Sequence, residues 1–166
     1  IADLRAQQTQ LLSAASPTTH AVSWTAVDSM PQCVKHGDDY LRVGGFDLAG
    51  LRAERSDFIL YMRDMANKLV SKLTQLADCL GKRGLEVKGP PGSGKSTTIW
   101  EWLLDQGRLG RSVLWVHLDE KGEDGSAVRI VGGQMSVAEF KTLDALDAAI
   151  QEDTYDVIVV DGVVAH

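Results

Sequence analysis

Apolar residues recur at three- and four-residue steps from about Ser56 to Leu80, which is the spacing of one buried helix face. Ser56 is a suitable N-cap for such a helix, and Gly81 is a suitable residue for ending it. The pattern therefore predicts one long helix over residues 56–80. A stripe of this kind is typical of a packed core or of a seam with a partner helix.

Short continuous apolar runs predict two buried strands, at residues 112–118 and 157–161. A third strand is predicted at 85–88 and a helix directly after it, at 97–104. The remaining predicted elements are a short polar helix at 2–14, a brief strand at 40–43 within an irregular segment, a hairpin partner at 127–131 and a helix at 136–151.

The segment between the strand at 85–88 and the helix at 97–104 reads Gly-Pro-Pro-Gly-Ser-Gly-Lys-Ser-Thr. It fits G-x-x-x-x-G-K-[ST], the phosphate-binding P-loop or Walker A motif, at every required position. Glycine lets the backbone approach a phosphate closely, and successive N–H groups with a helix N-terminus attract the anion. The sequence therefore predicts a nucleotide site formed by Gly89, Pro90, Pro91, Gly92, Ser93, Gly94, Lys95, Ser96 and Thr97.

The strand at 157–161 is four aliphatic residues followed by Asp161, which is the Walker B pattern. In P-loop proteins the lysine contacts the β- and γ-phosphates, while the hydroxyl after it and the Walker B carboxylate hold Mg²⁺. We therefore expect Lys95 to act on the phosphates, and Ser96 and Asp161 to hold the metal. No guanine-selecting Asn-Lys-x-Asp occurs, so ATP is the default nucleotide.

Hydrolysis would also need a carboxylate that activates water. The position directly after Asp161 does not provide one, because it is Gly162. The next candidates are Asp119 and Glu120, which follow the predicted strand at 112–118. Alternatively, these two acids only begin a charged turn that continues through Glu123. The sequence leaves both interpretations open.

Taken together, the elements predict an α/β fold, a three-layer P-loop NTPase with a mostly parallel sheet in residues 51–166. A helix and an irregular segment in residues 1–50 would precede it. Additional-strand ATPases place a later strand between their two motif strands, so we expect an N-terminal part of such an ATPase, truncated at its C-terminus. Alternatively, the motif strands pair directly, as in the kinase–GTPase class.

Residues 87–102 and 159–163 resemble the corresponding motifs of Crinkler effectors of oomycetes and of retrotransposon hot spot proteins. The resemblance implies the NTPase module of a larger effector-type protein that acts in the nucleus. Any nucleic-acid contact would then be made by other domains of that protein. Without the resemblance, the default expectation is an intracellular, cytoplasmic protein.

The chain has 166 residues and a net charge of −6, which argues against a broad nucleic-acid-binding surface. It lacks an apolar run of the roughly 20 residues that would span a bilayer. The two cysteines, Cys33 and Cys79, lack metal-ligand spacing and are expected to be reduced thiols.

Three functions remain open at this level. The first is an NTPase that hydrolyses its nucleotide. The second is a nucleotide-gated interaction module without turnover, which would bind a protein partner or a second copy through the long apolar helix. The third is a small-molecule or nucleotide kinase, although Arg108, Arg111 and Arg129 do not form an obvious phosphate-clamping lid.

Overall fold

The computed structural model describes residues 22–35, 37, 39–51, 57–78, 86–90, 92–119, 121–150 and 154–162. The predicted helix at 2–14 lies outside these residues, as do Pro91 and Glu120. The described residues form an α/β structure whose elements are β1 (Thr25–Ala26), β2 (Cys33–Lys35), β3 (Tyr40–Gly44), β4 (Asp57–Tyr61), α1 (Asp64–Ala77), α2 (Lys95–Arg108), β5 (Val113–Leu118), β6 (Gly125–Val131), β7 (Gln134–Phe140), α3 (Leu143–Ile150) and β8 (Val157–Asp161).

Five strands form the larger sheet, in the order β1-β7-β6-β5-β8. Strands β5 and β8 are parallel, while β5–β6, β6–β7 and β1–β7 are antiparallel. The predicted strands at 112–118 and 157–161 and the hairpin partner at 127–131 are confirmed as β5, β8 and β6. The sheet is nevertheless mixed, so the prediction of a mostly parallel sheet is wrong.

The hairpin of β6 and β7 explains this difference. Gly132 and Gly133 join the two strands with φ of 58° and 79°, the positive values that a two-residue hairpin turn requires. Strand β7 then pairs with β6 along its whole length, with Met135 buried on one face of the sheet and Ala138 and Phe140 on the other. The predicted helix at 136–151 is therefore wrong in its first half, because α3 begins only at Leu143.

A second antiparallel sheet has the order β2-β3-β4. It contains the predicted strand at 40–43, which is confirmed as β3. Strand β4 occupies the start of the predicted helix at 56–80, and α1 begins only at Asp64. The long-helix prediction is wrong there because the run Phe58–Tyr61 pairs residue by residue with β3 and takes its backbone hydrogen bonds from that ladder.

The segment before the glycine-rich loop also differs from its prediction. Residues 86–88 pair with no strand in the described part of the chain, and Leu85 lies outside that part. Glu86 and Lys88 are exposed and form an ion pair of 3.1 Å with each other. Because a strand is stabilised by a hydrogen-bonded neighbour, this stretch is not one here. Strand β8 has only β5 as a described neighbour.

Helix α2 is confirmed where the sequence predicts it and forms the centre of the core. Trp100, Leu103 and Leu104 are fully buried, and the cluster around them includes residues from both sheets. Trp100 packs edge-on against Trp115 of β5, with ring centroids 5.4 Å apart. Gly107 allows the close approach, since a Cβ there would lie 2.6 Å from Ile130 Cδ1. Helix α2 is thereby fixed against the sheet whose strands end at the candidate site.

The opposite face of the larger sheet is covered less completely. Leu114, Val116 and Phe140 pack there with Leu146 of α3. Ile158 and Val160 of β8 are 56% and 53% exposed. Among the described residues, none of the helices is long and apolar enough to cross a membrane.

Candidate functional site

The glycine-rich loop leads directly into helix α2. Gly92 and Gly94 have φ of 73° and 83°, and Gly94 is the N-cap residue of the helix. The Thr98 N–H donates to the Gly94 carbonyl at 3.0 Å. The N–H groups before Thr98 belong to the first turn, where a helix has no internal acceptors for them. The loop therefore presents backbone donors and a helix N-terminus to the same space.

Lys95 curls back into this loop. Its Nζ donates to the carbonyls of Gly89 at 2.8 Å and Pro90 at 2.9 Å, and to Ser93 Oγ at 3.3 Å. The ammonium thus lies against Gly89, Pro90 and Ser93, where it provides positive charge beside the loop. Thr97 follows in the first turn of α2 and is partly buried.

Ser96 and Asp161 meet although they are 65 positions apart. The Ser96 hydroxyl donates to Asp161 Oδ1 at 2.8 Å. Asp161 is the last residue of β8, so its carboxylate lies at the C-terminal edge of the sheet, where ligands of α/β proteins bind. The first turn of α2 reaches the same edge. The structure therefore brings together both residues that the sequence assigns to the metal.

His117 is a third member of the site that sequence reasoning missed. It pairs with Asp161 in the parallel register of β5 and β8, and its Nδ1 lies 3.0 Å from Asp161 Oδ2. Gly50 also approaches the imidazole closely, since a Cβ on this residue, whose φ is 70°, would lie 2.8 Å from His117 Cδ2. Its position near the end of a predicted strand was a sequence signal for a place at the edge of the sheet. The sequence does not show that Asp161 is its neighbour, because that depends on the register of β5 and β8.

The two side-chain partners of Asp161 determine its electrostatics. Partial burial acts to raise the pKa of this carboxyl, but the hydrogen bonds from His117 and Ser96 outweigh it. The N–H of Gly162 adds a further donor, and the pKa of Asp161 is lowered from its ordinary value. Asp161 is therefore ionised at neutral pH, and His117 Nδ1 carries the proton in their hydrogen bond.

Asp119 is engaged differently. Its Oδ1 accepts the N–H groups of Lys121 at 3.2 Å and Glu123 at 3.1 Å, and its own N–H donates to the Asp124 carbonyl. Desolvation acts to raise the pKa of Asp119, but the backbone donors of this turn, led by Glu123, lower it below its ordinary value. One oxygen of the carboxylate thus organises the turn. The other predicted catalytic residue, Glu120, lies outside the described residues.

The donor set fits Mg²⁺. A hydroxyl and an ionised carboxylate at hydrogen-bond distance are hard oxygen donors, and Mg²⁺ at phosphate sites takes its other ligands from water and the phosphates. The described residues contain no group of three or more His, Cys, Asp or Glu that could form an all-protein cage. Ser96 and Asp161 therefore suit a metal that arrives with a nucleotide.

Comparisons with protein-family models, with curated proteins and with solved structures found no match to this chain.

Proposed function

We propose that this chain binds a nucleoside triphosphate together with Mg²⁺ at the loop of residues 89–97 and hydrolyses it. The observation that carries the proposal is the Ser96–Asp161 hydrogen bond of 2.8 Å. It joins the hydroxyl that follows the loop lysine to the carboxylate at the end of β8, the strand beside β5. This is the pairing that metal-assisted phosphate binding at a P-loop needs.

Each element of the site then has a role. The backbone N–H groups of Gly92, Gly94, Lys95 and Ser96 bind phosphate oxygens, and Lys95 exchanges its loop carbonyls for the β- and γ-phosphates. Ser96 and Asp161 hold the metal, with His117 keeping the Asp161 carboxylate in place. Bound Mg²⁺ would supply positive charge that stabilises the phosphates and the leaving group.

Hydrolysis also requires a residue that activates water. Asp119 and Glu120 stay predictions for that role. Because Asp119 Oδ1 is occupied by two backbone donors, the turn itself favours a second candidate, a nucleotide-gated module without turnover. Both candidates share the same binding site and differ only in turnover.

We also propose the identity of the nucleotide, the fold family and the cellular role from the sequence. ATP as the nucleotide, membership of a three-layer P-loop fold and a nuclear effector related to Crinkler proteins all remain predictions from the sequence. They are compatible with a site built from Lys95, Ser96 and Asp161, which does not depend on the base or on the location of the protein.

Binding of a fluorescent ATP analogue, followed by anisotropy with and without Mg²⁺, tests the proposal. The wild-type chain should bind saturably, and Lys95→Ala should weaken binding by at least about tenfold, because it removes charge-assisted hydrogen bonds to phosphate. Lys72→Ala is the matched control, since Lys72 is an exposed lysine on α1 whose Nζ donates to Gln75 Oε1 of the same helix at 3.2 Å.

Phosphate release measured on the same proteins separates the two candidates. Turnover that disappears in Lys95→Ala and persists in Lys72→Ala supports the NTPase. Saturable binding without turnover above the solvent background supports the gated module. A wild-type chain that does not bind the analogue, or a Lys95→Ala chain that binds it equally well, overturns the proposal.

A further inference from the structure

A second concave site lies away from the glycine-rich loop. It is a cleft of about 740 Å³ at one end of the three-stranded sheet, where β2 ends, β3 begins and β4 leads into the first turn of α1. Leu41, Met62 and Val70 provide apolar surface in it, and Glu101 of α2 contributes a carboxyl group. Its volume is within the range of small-molecule sites.

Glu101 is the unusual member of this cleft. The residue is only 9% exposed, and its Oε2 is buried without a hydrogen-bond partner among the described residues. Buried polar atoms are nearly always paired, and a carboxylate oxygen left without a donor is costly. A residue that lines a cleft and carries a buried, unsatisfied carboxyl oxygen is a candidate for binding a ligand that supplies the missing donor.

The surroundings of Glu101 do not supply that donor. The pKa of Glu101 is raised to about 7, first by burial and then by the charge of Asp105 and a side-chain hydrogen bond with it. Asp105 is itself a carboxylate and so is no donor for Glu101. Arg108 opposes this rise in pKa only in part, because its guanidinium donates to Asp105 Oδ1 at 2.5 Å and to the Pro31 carbonyl. A perturbed carboxyl in a cleft is a recognised mark of a functional site.

The rim of the cleft favours a cation. Tyr40 and Tyr61 form a tilted ring pair with centroids 5.4 Å apart, and they are 47% and 55% exposed. Exposed tyrosine faces attract ammonium and guanidinium groups. The charged side chains that line the cleft besides Glu101 are two acids and two bases, namely Asp39, Asp64, Lys35 and Arg63. Glu101 therefore gives the cleft its negative excess when ionised.

We propose that this cleft binds an alkylguanidinium or alkylammonium group, with the cation at the carboxyl group of Glu101 and the aliphatic stem against Leu41, Met62 and Val70. Such a group is offered by a free small cation or by an arginine or lysine side chain of a peptide. The site is separate from the nucleotide site, and the inference does not depend on the proposed NTPase function.

The experiment titrates the whole chain with n-butylguanidinium and, separately, with its neutral isostere N-butylurea, following amide chemical shifts by NMR. The cation should bind saturably, with shifts concentrated around Tyr40, Tyr61 and Glu101. The urea should bind at least about tenfold more weakly, since it lacks the charge that strengthens a hydrogen bond to carboxylate. A third titration with acetyl-Gly-Arg-Gly-amide compares the two sources of the group.

Glu101→Gln keeps the shape of the side chain and should weaken n-butylguanidinium binding by about tenfold, for the loss of one charge-assisted hydrogen bond. Glu86→Gln, an exposed acid paired with Lys88 elsewhere on the chain, is the matched control and should bind like the wild type. Unchanged far-UV circular dichroism shows that Glu101→Gln is folded.

Tighter binding of the peptide than of n-butylguanidinium would assign the cleft to a protein partner, and weaker binding would assign it to a free cation. Either result supports the proposal. Equal binding of cation and urea, no binding of either cationic probe, or an affinity unchanged in folded Glu101→Gln would overturn it.

Discussion

Asp161 lies beside the first turn of helix α2, and Glu101 lies within that helix. The two carboxyl groups differ in the hydrogen-bond donors around them. Asp161, at the end of β8, accepts hydrogen bonds from Ser96 at 2.8 Å and from His117 at 3.0 Å. Glu101, in the middle of α2, has a buried oxygen without a partner among the described residues. The pKa is lowered for Asp161 and raised to about 7 for Glu101.

This difference shows that burial alone does not decide the state of an acid. Desolvation acts to raise both pKa values, and only the donors around Asp161 reverse the effect. Asp161 is thus kept charged and oriented for a cation. Glu101 is kept close to its protonation midpoint at neutral pH, so a ligand that brings a positive charge would also fix its ionisation.

The largest expected effect is on the metal role of Asp161. Asp161→Asn should reduce the Mg²⁺-dependent gain in nucleotide affinity by at least about tenfold, since an amide carries no charge for the metal. The measurement is the ratio of dissociation constants with Mg²⁺ and with EDTA. Asp119→Asn is the control at a neighbouring strand end and should leave that ratio unchanged. An unchanged ratio in Asp161→Asn would contradict the metal role.

For Glu101 the expected effect is on the pH dependence of protein stability. Its pKa is raised from 4.5 unfolded to about 7 folded, so the folded state binds more protons between these values. The free energy of unfolding should therefore fall as pH rises from 4.5 to 7, by on the order of 2 kcal/mol after allowance for solvent screening in the open cleft. Urea midpoints across this range measure it.

The matched variant for this test is Glu101→Gln, which removes the titration. Its stability should equal that of the wild type near pH 4.5 and exceed it above pH 7. Taking the difference between the two proteins removes the contributions of other groups. A difference that is independent of pH would show that Glu101 is already paired.

A smaller effect is expected from the partner of Asp161. His117→Ala removes the donor to Oδ2 and should weaken the Mg²⁺-dependent gain by up to about tenfold, as loss of an outer-shell partner typically does. His117→Asn should recover part of it, because its amide can donate from nearly the same position. If alanine and asparagine behave alike, the hydrogen bond is not what positions Asp161.

The chain's local patterns predicted which residues meet at the end of β8 better than they predicted the sheet. The glycine-rich loop, helix α2 and β8 are all specified by contiguous residues, so Ser96 and Asp161 could be assigned before their contact was known. Strand β4 could not be predicted in this way, because the spacing of Phe58 and Met62 fits a helix as well as a strand. Pairing with β3 decides between them. The Gly132-Gly133 turn was a readable hairpin signal that was missed.

Neither His117 nor Glu101 could be assigned from local sequence. His117 reaches Asp161 only because β5 and β8 align in one particular parallel register. Glu101 lies between Trp100 and Trp102 and would be exposed on an isolated helix. Its burial follows from α2 being enclosed by the three-stranded sheet and α1 as well as by the larger sheet. Long-range packing creates both features.

The two indole groups at the centre of the core give this protein an optical signal of its own. The Nε1 of Trp100 donates to the Gly44 carbonyl at 3.0 Å, and that of Trp115 donates to the Ala49 carbonyl at 2.9 Å. These two carbonyls lie at the start and near the end of the turn that leads to Gly50, and Gly50 approaches His117 closely. Any loosening of the turn would admit water to both rings, and their fluorescence would shift to longer wavelength without an added dye.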